Sequence, residues 1–249
     1  MNPGDKLKVW VRRQRFKPTA LGAIINPFFI IRRGLLDSIA KFAPSISGSL
    51  LDFGCGSKPY ESLFVNASSY IGVDLKSTGH DHSDSKIDLL YDGHTLPFRD
   101  GQFDAVVSFE VLEHVFNLPE VLGEISRVTK DSGHLVVSIP FAWHEHEEPY
   151  DFARYTTFGI SSILAAVGYQ VIEIRKSTTH VLATFQMFIA YLTLCSPRNR
   201  ILRYVQQICL IFPCTVSAYM FNALLPKKYE YFCNTVLLAR KLDSQSWSG

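Results

Sequence analysis

No two cysteines in this chain are spaced C-x-x-C, and the five present (Cys55, Cys195, Cys209, Cys214, Cys233) make an odd, scattered set. That argues against a disulfide framework and against the usual structural zinc sites, and it fits a reducing, cytoplasmic setting. Charge is also scarce. Charged residues make up 19% of the chain, below the roughly 25% of an ordinary soluble domain, and the formal net charge is only +2. Such a balance calls for no nucleic-acid partner. Internal repeats and low-complexity tracts are missing. An export leader is not expected either. The apolar run at residues 20–31 contains Asn26 and Pro27 and ends in Arg32-Arg33 instead of a small-residue cleavage site, so it reads as a leading helix or arm.

What the chain does have is apolar substance, with 47% hydrophobic residues, enough for a sizeable core. Its basic residues crowd the start: Lys6, Lys8, Arg12, Arg13, Arg15 and Lys17, then Arg32 and Arg33. This is either a solvated arm or a contact for anionic lipid or an acidic partner. From residue 49 onward short β-branched runs alternate with helical patterns, as in parallel α/β folds. Strands are expected at 49–54, 70–75, 87–91, 103–109, 134–139, 169–175 and 233–240, and helices around 59–66, 118–129 and 157–167. Several strands are apolar without alternation, as expected when both faces of a sheet are covered. Thr156 or Thr157 is placed to cap the third helix, and Gly168 to stop it. Residues 180–227 break the pattern with two long apolar stretches divided by Ser196-Pro197-Arg198-Asn199-Arg200. The division expected is a basic arm with leading helices at 1–47, one domain at 48–242 that includes the insertion at 180–227, and a tail at 243–249.

The segment Leu50-Leu51-Asp52-Phe53-Gly54-Cys55-Gly56-Ser57-Lys58-Pro59-Tyr60 carries the first chemistry. An apolar strand ends in Asp, then a Gly-x-Gly turn leads toward a helix. Gly54 and Gly56 can take positive φ and let a ligand lie against the backbone, and the following helix start would offer unpaired N–H groups. Such a loop at the carboxyl end of a central strand is where open α/β sheets bind ligands. About twenty residues on, Tyr70-Ile71-Gly72-Val73-Asp74-Leu75 ends a strand in an acid, the position and chemistry for holding two ribose hydroxyls. Asp92, in Asp92-Gly93-His94-Thr95-Leu96-Pro97-Phe98-Arg99-Asp100-Gly101-Gln102-Phe103-Asp104, is placed to accept from an adenine amino group. A fourth element is Val106-Val107-Ser108-Phe109-Glu110-Val111-Leu112-Glu113-His114-Val115.

The ordered series LDFGCG, GVDL, LPF-DGQFDAVVS, VLEHV and GHLVVSIP resembles the class I S-adenosylmethionine-dependent methyltransferases, in particular the small-molecule branch related to quinone-biosynthesis enzymes. The likeness covers roughly residues 49–175 and the last strand. It implies a three-layer Rossmann-like, seven-stranded, mostly parallel sheet of order 3-2-1-4-5-7-6 with its seventh strand antiparallel. It implies S-adenosyl-L-methionine as cofactor, with Asp52, Gly54, Cys55 and Gly56 forming the methionine loop. Asp74 and Leu75 would lie at the ribose, Asp92 and Gly93 at the adenine, and Phe109 and Glu110 beside the transferring methyl. Cys55 reads as a packing residue of that loop, not as a nucleophile. One departure stands out: Lys58, followed by Pro59, replaces the usual third glycine. A nicotinamide enzyme is the rival for a Gly-rich turn, but its Gly-x-Gly-x-x-Gly is incomplete and LPF…FD…LEH has no purpose there.

Residues 140–156, rich in aromatic and titratable side chains, would cover the methyl and shape an acceptor pocket. This loop is similar to the HE-PYD-RYT loop of methyltransferases from bacterial cell-surface glycan pathways. Positioning carries most of such chemistry, and a base helps a hydroxyl nucleophile. His144, His146, Asp151 and His114 are the candidates, while Asp151 with Arg154 also reads as a loop-pinning ion pair. Spacing supplies no third firm ligand beside His144, His146 and Glu147, so no metal is expected. The expected function is in-line methyl transfer to a small-molecule, glycan or lipid-linked acceptor, and the alternative is a non-catalytic cofactor-binding or scaffold subunit. For the insertion three readings stand open: a cover packed on the domain, a homodimer interface, or a peripheral membrane contact. A spanning hairpin is disfavoured, because its tip would carry Arg198, Arg200 and Arg203 to the far side.

Overall fold

The computed structural model describes residues 3–75 and 86–243. In chain order these form helices α1 (Pro3–Gln14) and α2 (Phe29–Phe42), strands β1 (Gly48–Phe53), β2 (Ala67–Leu75), β3 (Leu89–Tyr91) and β4 (Phe103–Phe109), helix α3 (Leu118–Val128), β5 (Thr129–Pro140), α4 (Thr157–Ala166), β6 (Tyr169–Lys176), α5 (His180–Leu194), α6 (Arg200–Gln206), α7 (Phe212–Leu224) and β7 (Asn234–Lys241). The sheet is β3-β2-β1-β4-β5-β7-β6, the order the resemblance implies. β1 pairs in parallel with β2 and β4, β2 with β3, and β4 with β5. β7 runs against β6: Ser177 donates its N–H to the Asn234 carbonyl at one end, and Leu242 donates to Gly168 at the other.

The sheet's character follows from its sequence. Leu51, Phe53, Val106, Leu135, Val137 and Ile139 point to one face and join the main core with Leu118, Leu122, Ile125 and Val128 of α3 and Ile160 and Leu164 of α4. The alternate residues Leu50, Ala105, Val107 and Val136 are buried as well, so both faces are covered and the strands need no polar alternation. Thr156 caps α4, its hydroxyl accepting the Gly159 N–H at 3.1 Å, and Gly168 at φ 85° follows its end.

Two differences from the sequence reading matter. The helix expected at 59–66 is a single 3-10 turn at Glu61–Leu63, because Pro59 constrains the start and β2 already resumes at Ala67. β5 begins at Thr129, five residues earlier than the apolar run suggests, with Ser132 at φ 61° in its first stretch.

The chain divides into two compact units. One comprises Ile39–Arg175 and Thr235–Gly249, and the other comprises Met1–Ser38 and Lys176–Asn234. The N-terminal arm and the apolar insertion thus share a unit. Its core is Phe29 and Ile30 of α2, Ile189 of α5, Ile211, and Ala218 of α7, with Ala23. Buried Gln186 ties it together, accepting the Ile31 N–H at 3.1 Å and donating to the Pro27 carbonyl.

Candidate active site

β1 delivers the glycine loop at its carboxyl end. Gly54 and Gly56 take φ 71° and 46°, conformations that cost an ordinary residue about 1–2 kcal/mol. Gly54 and Cys55 both donate their N–H to the Val73 carbonyl of β2, at 2.9 and 3.2 Å. A Cβ on Gly54 would lie 2.5 Å from Val111, so the loop is seated directly against the segment that follows β4. A Cβ on Gly56 would meet nothing within 4 Å, which leaves that stretch of backbone open to a ligand.

Lys58 explains the missing third glycine. It adopts φ 50°, the left-handed conformation a glycine would supply. Its buried ammonium pairs with Asp88. Asp88 also accepts the Gly72 N–H at 2.6 Å, and these bonds hold its carboxyl below the ordinary carboxylate range against the opposing effect of burial. The loop is thereby fastened to the start of β3 by a tie that the motif pattern does not contain.

Asp52 is buried beneath the loop and accepts from the Tyr70 hydroxyl at 2.6 Å. Burial pushes its carboxyl up to about 7, while the Tyr70 bond and the Lys58 charge oppose the rise. Cys55 is buried and its thiol is pushed up to about 12 by burial, which disfavours the thiolate at neutral pH. Asp74, at the end of β2, accepts the Gly56 N–H at 3.0 Å through Oδ2 and the Leu75 N–H at 2.8 Å through Oδ1. It therefore binds the glycine loop and ends β2 at once. Asp92 is exposed and turns back on its own loop, accepting from the His94 and Thr95 N–H groups, while Gly93 sits at φ 94° against Leu75. The LPF motif is held from α3. Arg127 donates to the Leu96 and Phe98 carbonyls, to Asp100, and twice to Glu124, which itself accepts the Leu96 N–H.

Phe109 closes β4 with its ring edge-on to Tyr60 and stacked on Phe64. Glu110 follows at φ 57°, a strained position for a non-glycine residue. It is fixed by Ser138: its N–H donates to the Ser138 carbonyl at 3.0 Å, and the Ser138 hydroxyl donates to its carboxylate at 2.7 Å. This kink aims the next residues at the acceptor loop. The Glu113 backbone carbonyl accepts from the N–H groups of Phe152 and Ala153, which stitches the two segments together.

Here the fold gathers residues that the sequence holds far apart. The His114 and His146 rings lie edge to face with centroids 4.8 Å apart. His114 Nδ1 donates to the Tyr150 carbonyl at 2.8 Å, and its Nε2 is 3.3 Å from Glu147 and 3.7 Å from Glu113. His146 Nδ1 is 3.1 Å from Asp151. An ionised carboxylate only accepts, so Nδ1 carries the proton and Nε2 is left basic. Burial, aided by nearby His114, lowers the pKa of His146 and keeps it neutral at physiological pH. Asp151 is clamped by both terminal nitrogens of Arg154, at 2.5 and 2.6 Å, and that ion pair holds its carboxyl far below the ordinary range. Asp151 thus holds Arg154 and the His146 ring in one ion-pair arrangement. His144 stands apart from the cluster, with its ring tilted against Trp143 and its backbone carbonyl accepting from Arg154.

Glu113 is the member that sequence reasoning passed over. It is fully buried, and neither carboxyl oxygen has a hydrogen-bond partner. Burial, reinforced by the nearby Glu110 charge, raises its pKa and favours the protonated form. Its place between Leu112 and His114 in VLEHV marks it only as part of a helical-looking run, so no local pattern announces its burial. One ligand atom each from Glu113, His114 and His146 lies within 4.8 Å of the others, close enough to converge on one divalent cation. Spacing along the chain offers no firm metal site among His144, His146 and Glu147, and it gives no sign of this set.

The chain belongs to the methyltransferase domain family, whose model matches residues 29–174. S-adenosylmethionine is the cofactor of these proteins. The open backbone at Gly56 and the strand-end carboxylate of Asp74 fit it. The ubiquinone biosynthesis O-methyltransferase of Dechloromonas aromatica is 31% identical over 144 residues, 52% of this chain and 56% of that protein. The chain spans about half the length of the curated relatives it matches. Among solved structures, the 4+2 cyclase SpnF superposes with a TM-score of 0.56 at 19% identity, over 85% of this chain and 82% of that one. A methyltransferase from Archaeoglobus fulgidus gives 0.52 at 17% identity, over 83% and 93%. Such distant likeness establishes the fold.

Proposed function

We propose that this chain transfers a methyl group from S-adenosylmethionine to a nucleophile on a small-molecule, glycan or lipid-linked acceptor. The observation that carries the reading is the abutment of the Gly54 loop on Val111, which sets the cofactor loop beside Glu110, Glu113 and His114 and, through them, the acceptor loop. In this reading Gly54 and Gly56 hold the methionine portion, Asp74 the ribose, and Asp92 with Gly93 the adenine end. The cofactor supplies an electrophilic methyl on a sulfonium, so the protein needs to align the acceptor and take up its proton. His146 is the base, with Nε2 free to accept and Nδ1 held by Asp151, itself locked by Arg154. His144 serves the shape of the loop. The ubiquinone-pathway relative and the aromatic loop at residues 140–156 support a hydroxylated acceptor.

The test is transfer of tritiated methyl from the cofactor into fractionated small-molecule, glycan and lipid extracts. Label entering one fraction, and lost with His146→Ala while cofactor affinity holds, is the expected result. Binding of S-adenosylhomocysteine with no label moved into any fraction would instead favour a non-catalytic cofactor-binding subunit.

A further inference from the structure

The unit formed by residues 1–38 and 176–234 has a small apolar core, buried polar side chains beside it, and an apolar outer face. α6 and α7 belong to one helical stretch, Arg200–Leu224, joined through a π turn at Gln207–Ile211. Its inward stripe carries polar side chains that are satisfied within the unit. Gln206 donates to the Leu192 carbonyl and accepts from Ser196, Gln207 donates to the Ile24 carbonyl, Asn222 accepts from Thr179, and buried Thr215 donates to the Ile211 carbonyl. The outward face is apolar: Ile201 is 72% exposed, Ile208 53%, Met220 52% and Leu224 74%. α5 repeats the pattern, with Gln186 fully buried and Phe188, Tyr191 and Leu194 exposed. A helix in water arranges these residues the other way, and a contiguous apolar surface of this kind marks a partner.

Charge identifies the partner. No aspartate or glutamate occurs between Glu173 and Glu230, while Arg198, Arg200 and Arg203 stand exposed at one end of the Arg200–Leu224 helix and Lys227 and Lys228 at the other. Between Arg203 and Lys227 there is no charge at all. Exposed Tyr191, Tyr204 and Tyr229 suit the boundary between apolar and wet surroundings. We propose that this face lies on the surface of a membrane containing anionic phospholipid, with the apolar side chains entering the acyl boundary and the basic ends bound to headgroup phosphates. The helix is long and apolar enough to cross a bilayer, but it lies flat. Its partner α5 has 15 residues, about 22 Å of helix against the ~30 Å hydrocarbon core. β6 and β7, at the two ends of the insertion, neighbour each other in the sheet, and a spanning tip would drag Arg198, Arg200 and Arg203 across.

The experiment is flotation of the full chain with vesicles of phosphatidylcholine, with and without phosphatidylglycerol. Wild type floats with the phosphatidylglycerol vesicles, less at raised salt. Ile208→Asp with Met220→Asp, and separately Arg198→Gln with Arg200→Gln and Arg203→Gln, each lower the bound fraction about tenfold. These positions are exposed, and unchanged circular dichroism and S-adenosylhomocysteine affinity show that the fold survives. The proposal is overturned if wild type floats with neither vesicle. It is equally overturned if the protein is a dimer that Ile208→Asp with Met220→Asp dissociates, the face then belonging to a second copy. Resistance to alkaline carbonate extraction from the membranes of expressing cells would replace surface contact with a spanning helix.

Discussion

Asp74→Ala tests the cofactor site most directly. In the free protein the carboxylate accepts from Gly56 and Leu75 at 3.0 and 2.8 Å. Both donors are near solvent, so losing them costs about 1 kcal/mol of stability, since water can take the place of each acceptor. For the ligand the loss is larger. Two ribose hydroxyls donating to one carboxylate contribute about 1.5 kcal/mol each at the lower end for bonds to a charged group, about 3 kcal/mol together. That corresponds to roughly a hundredfold rise in Kd. Calorimetric titration of S-adenosylhomocysteine into wild type and variant reads this, with urea unfolding run in parallel to confirm that the variant is folded. Asp74→Asn, which keeps one acceptor oxygen, is expected to fall between the two. A folded Asp74→Ala protein that binds within about threefold of wild type would refute the ribose assignment, because no arrangement with two charge-assisted bonds loses so little.

Three further outcomes follow from the same geometry. Gly54→Ala combines a left-handed backbone with a Cβ 2.5 Å from Val111 and should cost about 2–4 kcal/mol in denaturant unfolding; adding Val111→Ala should restore part of that, and no restoration would mean that the clash is not the cause. Asp52 has its pKa raised from 3.8 to about 7, so the folded state binds this proton more tightly than the unfolded chain; its contribution is full below pH about 4 and is lost as pH rises through about 7. Asp52→Asn should flatten that decline in a stability-versus-pH series, and superimposable profiles would sink the argument. Arg127→Ala removes the anchor of Leu96, Phe98 and Asp100 and leaves Glu124 without its main partner; a loss of about 2 kcal/mol in urea unfolding is expected, and a change below about 0.5 would show that the loop holds itself.

The glycine loop, the strand-end Asp74 and the order of apolar runs were legible in the chain because each is local. A strand covered on both faces must be apolar at successive positions, and a backbone that must bend sharply or admit a ligand needs glycine. Seven strands and their order could therefore be read before any coordinates, the order through the family resemblance. The limits appear where the decisive partner is distant. Lys58 looked like a flaw in the motif; its role depends on Asp88, thirty residues away in sequence. Glu113 looked like one more residue of VLEHV; its raised pKa comes from burial, which no neighbour along the chain reveals. His114 and His146 lie 32 positions apart and become a pair because the Glu110 kink and the Glu113 carbonyl bring two loops together.

The apolar insertion shows the same division. Composition determined that residues 204–226 carry no charge and are bounded by Arg203 and Lys227. Only the tertiary structure decided which side faces inward, and it placed the glutamines, Thr215 and Asn222 inside, where backbone carbonyls and side-chain partners satisfy them. Composition follows from the residues a segment contains, whereas the direction in which a helix turns its faces is set by hydrogen-bond partners supplied from elsewhere in the chain.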